Sequence, residues 1–328
     1  MAIRLLLASL ALVSLCAQAV SQKSPGSKDS KSTPARSAPA TDPIEAELRK
    51  IMADDDAAQQ QVEKWTIQAQ NAEGPTAPSV RAALQLKAEQ RLAEVRKRYE
   101  EFLARNPRHA SGHLAFGSFL CEQGLERDGV KSWETARELD PKNPAAWNNL
   151  ANHYGHRGPV RKGFDYYGKA IELDSGQPVY HHNFATTVFL YRKDAMEHFK
   201  LDEQQVFDKA LALYARAQEL DPRDFTLATD IAQTFYGIRP PRNDAALAAW
   251  ERVLKLAPGE FERQGIYLHF ARIKVNMGRF DEARAHLAKV THAHHQVVRE
   301  RVTKTMEDRQ KKGLAPPAPD KAPQPPED

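Results

Sequence analysis

The pattern of hydrophobic and polar positions is helical along most of the chain, and in its middle part the pattern repeats. From residue 110 onward, small and bulky side chains return at the same places in successive units of about 34 residues. A repeat of this length is typical of stacked helix pairs. The pattern therefore predicts five helix hairpins over residues 110–290. The units begin at Ala110, Pro144, Pro178, Phe225 and Gln264.

Two positions of each unit carry small side chains. Position 8 is Gly117 in the first unit and Ala151 in the second, and position 20 is Gly129 and Gly163. Two helices approach closely where small side chains leave room, so we expect positions 8 and 20 to join the helices of each hairpin. Glycine also recurs at position 15, where we expect the first helix to end. These glycines are Gly124, Gly158 and Gly278.

Taken together, these positions resemble those of the tetratricopeptide repeat (TPR) family over about residues 106–290. The resemblance implies an all-α, right-handed superhelical solenoid of about five hairpins with capping helices at both ends. It also implies that Asn149 and Asn183, at position 6, are structural. The residues that carry it best are Trp147, Leu150, Ala151, Tyr154, Gly158, Tyr167 and Ala170.

The resemblance implies a concave groove lined by positions 2, 5, 9, 12 and 13 of each first helix, where solenoids place their function. The expected ligand is a peptide or helix segment of another envelope protein, and the alternative is a face that is only solvated. Family members that clamp a carboxylate have Lys at position 5, where this chain has Asn148, so that specificity is not expected. The candidate residues are Asn148, Asn152, His156, His182, Thr186, Thr229, Gln233, Tyr236 and Arg272.

The N-terminal stretch has the features of a secretory signal peptide. Arg4 precedes a short apolar run, and Ala17-Gln18-Ala19 forms a cleavage site. We therefore expect cleavage after Ala19 and export to the periplasm or the extracellular space of a bacterium. Leu15 stands where a lipobox has a small residue, and lipidation of Cys16 stays open. Cleavage would leave Cys121 as the remaining cysteine, so no internal disulfide is expected.

The remaining segments differ in composition. Helix-start signals at Asp42 and Pro43 predict a long helix to about Asn71, and a second long helix is expected to end near Arg105. The predicted domains are a signal peptide (1–19), a linker (20–42), an N-terminal helical cap (43–109), the repeat array (110–290), a capping helix (291–312) and a Pro-rich tail (313–328).

Two details of the array and its cap are specific. About 13 extra residues follow Tyr191 in the third unit, where Met196, Phe199 and Leu201 are expected to seal the groove edge or meet a partner. A surface excursion is the alternative. The capping helix is expected from Thr291 to Lys312, with an apolar stripe at Val297, Val298 and Val302.

The charge and the motifs of the chain limit the functions that we expect. The 328 residues carry a net charge of +4 with both signs interspersed, so no nucleic-acid partner is expected. No catalytic motif is present, so the chain is expected to be neither an enzyme nor a cofactor carrier. His292 and His295, three residues apart, are weak metal candidates, with a solvated capping helix as the alternative. A self-assembly module that forms homo-oligomers remains the main alternative function.

Overall fold

The computed structural model describes residues 42–313, and the regular elements in this part are α-helices and two short 3-10 turns. The all-α prediction is confirmed. The predicted signal peptide (1–19), the linker up to residue 41 and the tail from residue 314 lie outside the described residues. The helices are α1 (Pro43–Gln70), α2 (Ala77–Arg105), α3 (Ala110–Glu122), α4 (Glu126–Leu139), α5 (Pro144–Arg157), α6 (Val160–Leu173), α7 (Pro178–Leu190), α8 (Arg192–Phe199), α9 (Glu203–Leu220), α10 (Phe225–Thr234), α11 (Asn243–Leu256), α12 (Glu260–Asn276), α13 (Phe280–Leu287) and α14 (Gln296–Lys311).

Side chains just before several helices explain where these helices begin. The Asp42 carboxylate accepts a hydrogen bond from the Ile44 amide at 2.9 Å, and Pro43 occupies the first helical turn. Asp224 accepts from the Leu227 amide at 2.9 Å in the same way. Such caps satisfy amide groups that have no partner inside the helix, and each stabilises a helix by about 1 kcal/mol. The predicted helix from Pro43 to about Asn71 is therefore observed with its cap.

The chain divides into two compact units, Met1–Ser175 and Gly176–Asp328. In its described part, the first unit holds α1 to α6 and the second holds α7 to α14. The division falls inside the predicted repeat array, between its second and third hairpins. None of the helices between residues 42 and 313 is both long enough and apolar enough to cross a membrane.

In the first unit, successive helices pack as hairpins through the expected small residues. A Cβ atom added to Gly129 would lie 2.7 Å from the carbonyl oxygen of Gly117, and one added to Gly163 would lie 3.1 Å from the carbonyl oxygen of Ala151. Real Cβ atoms essentially never show a contact of 2.7 Å and rarely one of 3.1 Å, so the helices touch backbone to backbone. The predicted contact between positions 8 and 20 is confirmed in these two hairpins.

The glycines at position 15 end the first helices as predicted. Gly124, Gly158 and Gly278 have φ angles of 74°, 78° and 74°. This left-handed region favours glycine because a side chain would clash with the backbone.

In the second unit, apolar side chains are enclosed both within hairpins and between neighbouring hairpins. Ala185 of α7 shares a buried cluster with Tyr214 and Ala217 of α9. Trp250 of α11 and Phe270 of α12 belong to the next cluster. Because the core is divided among neighbouring hairpins in this way, each hairpin is stabilised by its neighbours.

Two helix starts in the second unit differ from the sequence pattern. The first helix of the fifth hairpin begins at Glu260, four residues before the predicted start of the repeat unit at Gln264, and two acidic residues in its first turn favour this earlier start. The capping helix begins at Gln296, not at Thr291. The amides of Thr291 and His292 donate to Oε1 of Gln264 at 2.8 and 2.7 Å, so they are held outside a helix.

The apolar stripe of the capping helix is also corrected. Val302 and Met306, one turn apart, are the buried residues of α14. Val297 is 66% exposed and Val298 is 38% exposed. The helix therefore covers α12 and α13 with its C-terminal half, while its first turn presents apolar side chains to solvent.

Candidate functional site

The candidate residues of the first unit are more enclosed than expected. Asn148 is 1% exposed and Asn152 is 8% exposed. The Tyr167 hydroxyl donates to Oδ1 of Asn152 at 2.5 Å, which joins the two helices of the second hairpin. Neither asparagine offers enough surface to contact a peptide, so the expectation that they line an open groove is corrected. Buried amides of this kind stabilise the framework when they are paired.

Hydrogen bonds connect the first and second hairpins of the same unit. Nδ2 of Asn149 donates to Oγ of Ser118 at 3.3 Å, and Nε1 of Trp133 also donates to that oxygen at 3.3 Å. Asn149 and Asn183 are both buried. This agrees with the structural role expected for position 6.

His156 is the third candidate of the first unit. It is half-buried, and burial lowers the pKa of its imidazole, with a further contribution from the positive charge of Arg157. The lowered pKa favours the neutral ring. The structure brings His156 near the end of α5, one turn beyond the buried Asn152.

The candidate residues of the second unit remain accessible and are linked by polar contacts. Nε2 of His182 lies 3.1 Å from Oδ2 of Asp230, which joins α7 to α10. Oγ1 of Thr186 lies 2.9 Å from the Tyr214 hydroxyl, which joins α7 to α9. Asp230 keeps 42% of its side chain exposed. These bonds orient polar groups at the surface without burying all of them.

A second group of contacts joins the 3-10 turn Phe235–Gly237, directly after α10, to α12. The Tyr236 hydroxyl lies 2.7 Å from Nδ1 of His269. The His269 ring stacks on Trp250 with 3.8 Å between ring centroids. The Arg272 guanidinium lies 4.9 Å from the centre of the Tyr236 ring, within the range of a cation–π contact.

The protonation states in this group follow from burial. Burial, with the nearby positive charge of Arg272, lowers the pKa of His269 to about 4. Burial also raises the pKa of Tyr236 to about 12. Both rings are therefore neutral at neutral pH, and Arg272 supplies the positive charge of the group.

The three helices α7, α10 and α12 are the first helices of the third, fourth and fifth hairpins. We call their outward part, together with Tyr236 in the turn after α10, the first-helix face. Thr229 bonds back to the carbonyl of Phe225 at 2.8 Å, while Gln233 and Arg272 are exposed. The face presents amide, hydroxyl, imidazole and guanidinium groups, with Asp230 as the carboxylate. Its residues are His182, Thr186, Thr229, Asp230, Gln233, Tyr236, His269 and Arg272.

Sequence reasoning missed two members of this face. Asp230 and His269 occupy position 6 of their units, where a structural asparagine was expected. The sequence signal that could have found them is the replacement of the asparagine at that position by an aspartate in one unit and a histidine in the other. Asp230 pairs with His182 of α7, and His269 pairs with Tyr236, which follows α10.

The insertion forms a short helix and is not an open loop. Ala195 of α8 is fully buried, and the Phe199 ring lies 6.2 Å from the ring of Phe184 in α7. Lys209 of α9 lies 4.4 Å from the centre of the Phe199 ring. The insertion therefore packs against its own hairpin, and a role in partner binding stays a prediction.

The histidines near residue 292 form a ring cluster around Phe261. His295 stacks on Phe261 at 4.5 Å between centroids, and Nδ1 of His292 accepts from the His294 amide at 3.3 Å. The rings of His292 and His295 are 5.8 Å apart. Between residues 42 and 313, no three His, Cys, Asp or Glu side chains are grouped closely enough to hold a metal ion.

The first unit also contains a carboxyl cluster that the sequence did not reveal. Nε2 of Gln59 donates to Asp55 at 3.3 Å and to Glu122 at 3.2 Å, and the Tyr99 hydroxyl donates to Asp55 at 3.1 Å. Burial raises the pKa of Asp55 to about 6, with a further contribution from the charges of Asp56 and Asp54. Burial also raises the pKa of Glu122 to about 7, with a further contribution from the charges of Asp55 and Asp56. The cluster joins α1, α2 and α3.

Comparison with known proteins gives weak likenesses. No family model matches the chain, and no curated protein matches it. The crystal structure of MamA is 17% identical over 52% of this chain and 92% of MamA, with a TM-score of 0.42. YrrB, described as a TPR protein with an unusual peptide-binding site, is 16% identical over 65% of this chain and 97% of YrrB, with a TM-score of 0.47.

A third solved structure is the C-terminal part of a TPR repeat-containing protein from Cytophaga hutchinsonii. It is 12% identical over 75% of this chain and 93% of that chain, with a TM-score of 0.48. Nothing about function follows from likenesses of this size. The class of the protein rests on its own helix hairpins, which make it an all-α repeat protein.

Proposed function

We propose that the protein is a non-enzymatic scaffold that binds an extended segment of a partner protein on the first-helix face. The observation that carries this proposal is the pair of bonds His182–Asp230 and Tyr236–His269. They hold the first helices of three successive hairpins in register while Gln233 and Arg272 stay exposed. A row of fixed donors and acceptors suits the backbone groups of an extended segment.

The proposed setting is the bacterial envelope or the extracellular space. The charged start, the apolar run and the Ala17-Gln18-Ala19 site of the N-terminal stretch support this part. Fractionation of cells and mass spectrometry of the mature N-terminus test it. Mature protein that begins at Val20 outside the cytoplasm is the expected result, and a retained Met1 would contradict it.

Photo-crosslinking in cells tests the binding face. A photoreactive amino acid replaces Gln233 on α10 in one variant and the exposed Ala248 on α11, the second helix of the same hairpin, in the matched control. The proposal expects one protein adduct that forms from position 233 and not from position 248. Adducts of equal yield from both positions, or none from 233, would contradict it.

Self-assembly is the second candidate, and one observation favours it. Phe261 is 47% exposed, and Val297 and Val298 at the start of α14 are 66% and 38% exposed. Exposed apolar side chains of this kind can join two copies of a chain. Light scattering over a concentration series decides this candidate, because a mass that grows with concentration and is reduced by Val297→Lys would support it.

A further inference from the structure

The second unit contains a cleft of about 380 Å³ beside the end of α10. Phe235, Tyr236 and Ile273 form its apolar part. Three arginines line it as well, and they come from two separate places in the chain. Arg239 and Arg242 belong to the connection before α11, and Arg309 belongs to the last turn of α14. The fold therefore gathers three guanidinium groups around one small space.

The positive charge of this cleft is only partly balanced. Arg242 pairs with the exposed Asp208, and its Nη2 donates to Gln204 at 3.0 Å. Arg239 donates to the backbone carbonyl oxygens of Tyr236 and Ile238 at 2.9 and 2.7 Å. These oxygens carry no net charge, so they do not neutralise the arginine. None of the described residues that line the cleft is acidic.

Arg309 has the least complete set of contacts of the three. Its Nε atom is buried and has no hydrogen-bond partner among the described residues. A buried donor without a partner is costly, and native structures rarely leave one without a role. The Arg309 side chain also lines the cleft, so an acceptor bound there would lie beside a guanidinium group with an unused donor.

We propose that this arginine cleft binds a ligand that carries two or more negatively charged oxygen atoms next to an apolar group. Planar guanidinium groups bind carboxylates and phosphates through paired hydrogen bonds, and the apolar wall receives the body of the ligand. A space of this size holds a small organic anion or one or two acidic side chains. The proposal does not depend on the function proposed above, although Tyr236 belongs to both surfaces.

Isothermal titration of the full chain tests the site with three probes: inorganic pyrophosphate, citrate and N-acetyl tetraglutamate. Each probe is titrated into the unaltered protein, Arg309→Gln, Arg309→Lys and Arg301→Gln at low ionic strength. Arg301 lies on the same helix and is exposed, so its replacement removes the same charge outside the cleft. Arg239→Gln is the second cleft variant, in case Arg309→Gln does not fold.

The expected result is saturable binding of at least one probe, weakened about tenfold or more by Arg309→Gln and by Arg239→Gln. Arg309→Lys keeps the charge but not the planar fork, so its affinity should lie between those of the unaltered protein and Arg309→Gln. Arg301→Gln binds within about twofold of the unaltered protein, as expected for a charge outside the site. Tighter binding of tetraglutamate than of pyrophosphate identifies acidic side chains as the ligand, and the reverse identifies a phosphate. Absence of saturable binding by all three probes, or equal weakening by Arg301→Gln and Arg309→Gln, overturns the proposal.

Discussion

The second hairpin in the first unit and the third to fifth hairpins in the second unit use the same repeat positions for different purposes. Positions 5 and 9 of the second hairpin are Asn148 and Asn152, and both are buried. In the second unit, position 9 of the fourth and fifth hairpins is Gln233 and Arg272, and both are exposed, while Thr186 of the third hairpin is partly buried. A repeat position therefore fixes where a side chain stands on its helix, while the neighbouring helices decide whether a ligand can reach it.

The hydrogen-bond partners show the same difference. The amide of Asn152 is held by Tyr167 within one hairpin. His182 and Tyr236 bond side chains of other first helices at a surface that remains open. The paired amides of the second hairpin are therefore enclosed in the fold, whereas the polar groups of the first-helix face remain partly accessible.

The largest expected effect tests the close helix contact of the first unit. Gly129→Val should lower the free energy of unfolding by about 3 kcal/mol, because a Cβ there would clash with Sγ of Cys121 and lie 2.7 Å from the Gly117 carbonyl oxygen. Urea unfolding followed by circular dichroism measures the change. Gly168→Ala is the control: nothing lies within 4 Å of its Cβ, so stability should rise by about 0.5 to 1 kcal/mol. Equal effects of the two changes would refute the backbone contact.

The second prediction compares the buried and exposed amides directly. Asn152→Ala should cost about 1 to 2 kcal/mol of stability, because the Tyr167 hydroxyl loses its acceptor inside the fold. Gln233→Ala should change stability by less than about 0.5 kcal/mol, since Gln233 is exposed. A double-mutant cycle with Tyr167→Phe isolates the hydrogen bond. The account loses its basis if the two alanine variants unfold at the same urea concentration.

The third prediction concerns pH and the carboxyl cluster of the first unit. The pKa values of Asp55 and Glu122 are raised from 3.8 and 4.5 to about 6 and about 7, so the folded state holds these protons more tightly than the unfolded chain. Their contribution to stability is complete below about pH 4 and is lost as the pH rises through 6 and 7. We expect the first unit to gain about 2 to 4 kcal/mol between pH 8 and pH 5.

Glu122→Gln tests this cluster in urea unfolding measured from pH 5 to pH 8. The variant should show a smaller rise in stability as the pH falls, and it should be more stable than the unaltered protein at pH 8. Glu138→Gln, which removes an exposed carboxylate of the same unit, should leave the slope unchanged. A slope that Glu122→Gln does not alter would assign the pH dependence to other groups.

Much of the fold could be predicted because its signals are local. The small residues at positions 8 and 20, the glycines at position 15 and the cap at Asp42 each act within one hairpin or one helix end. The start of α14 could not be predicted, because it depends on Gln264, which bonds the amides of Thr291 and His292 from another helix. The buried residues Val302 and Met306 lie in the C-terminal half of α14, and their position likewise depends on packing against α12 and α13.

The candidate site was predicted less well than the fold. Position numbers selected side chains on the correct helices, but they could not distinguish the buried Asn148 from the exposed Gln233. The arginine cleft was beyond sequence reasoning, because Arg239 and Arg309 are 70 residues apart and meet only through the packing of α10, α12 and α14. Neither residue belongs to a pattern that repeats.

The most direct test of the central claim is the affinity of the partner identified by crosslinking for four purified variants. Gln233→Ala and Arg272→Ala change the exposed face, and Asn148→Ala and Asn152→Ala change the buried amides. The account predicts that the first two weaken binding about tenfold or more, while the last two bind normally wherever they remain folded. Normal binding by Gln233→Ala and Arg272→Ala, together with lost binding by folded Asn148→Ala or Asn152→Ala, would contradict it.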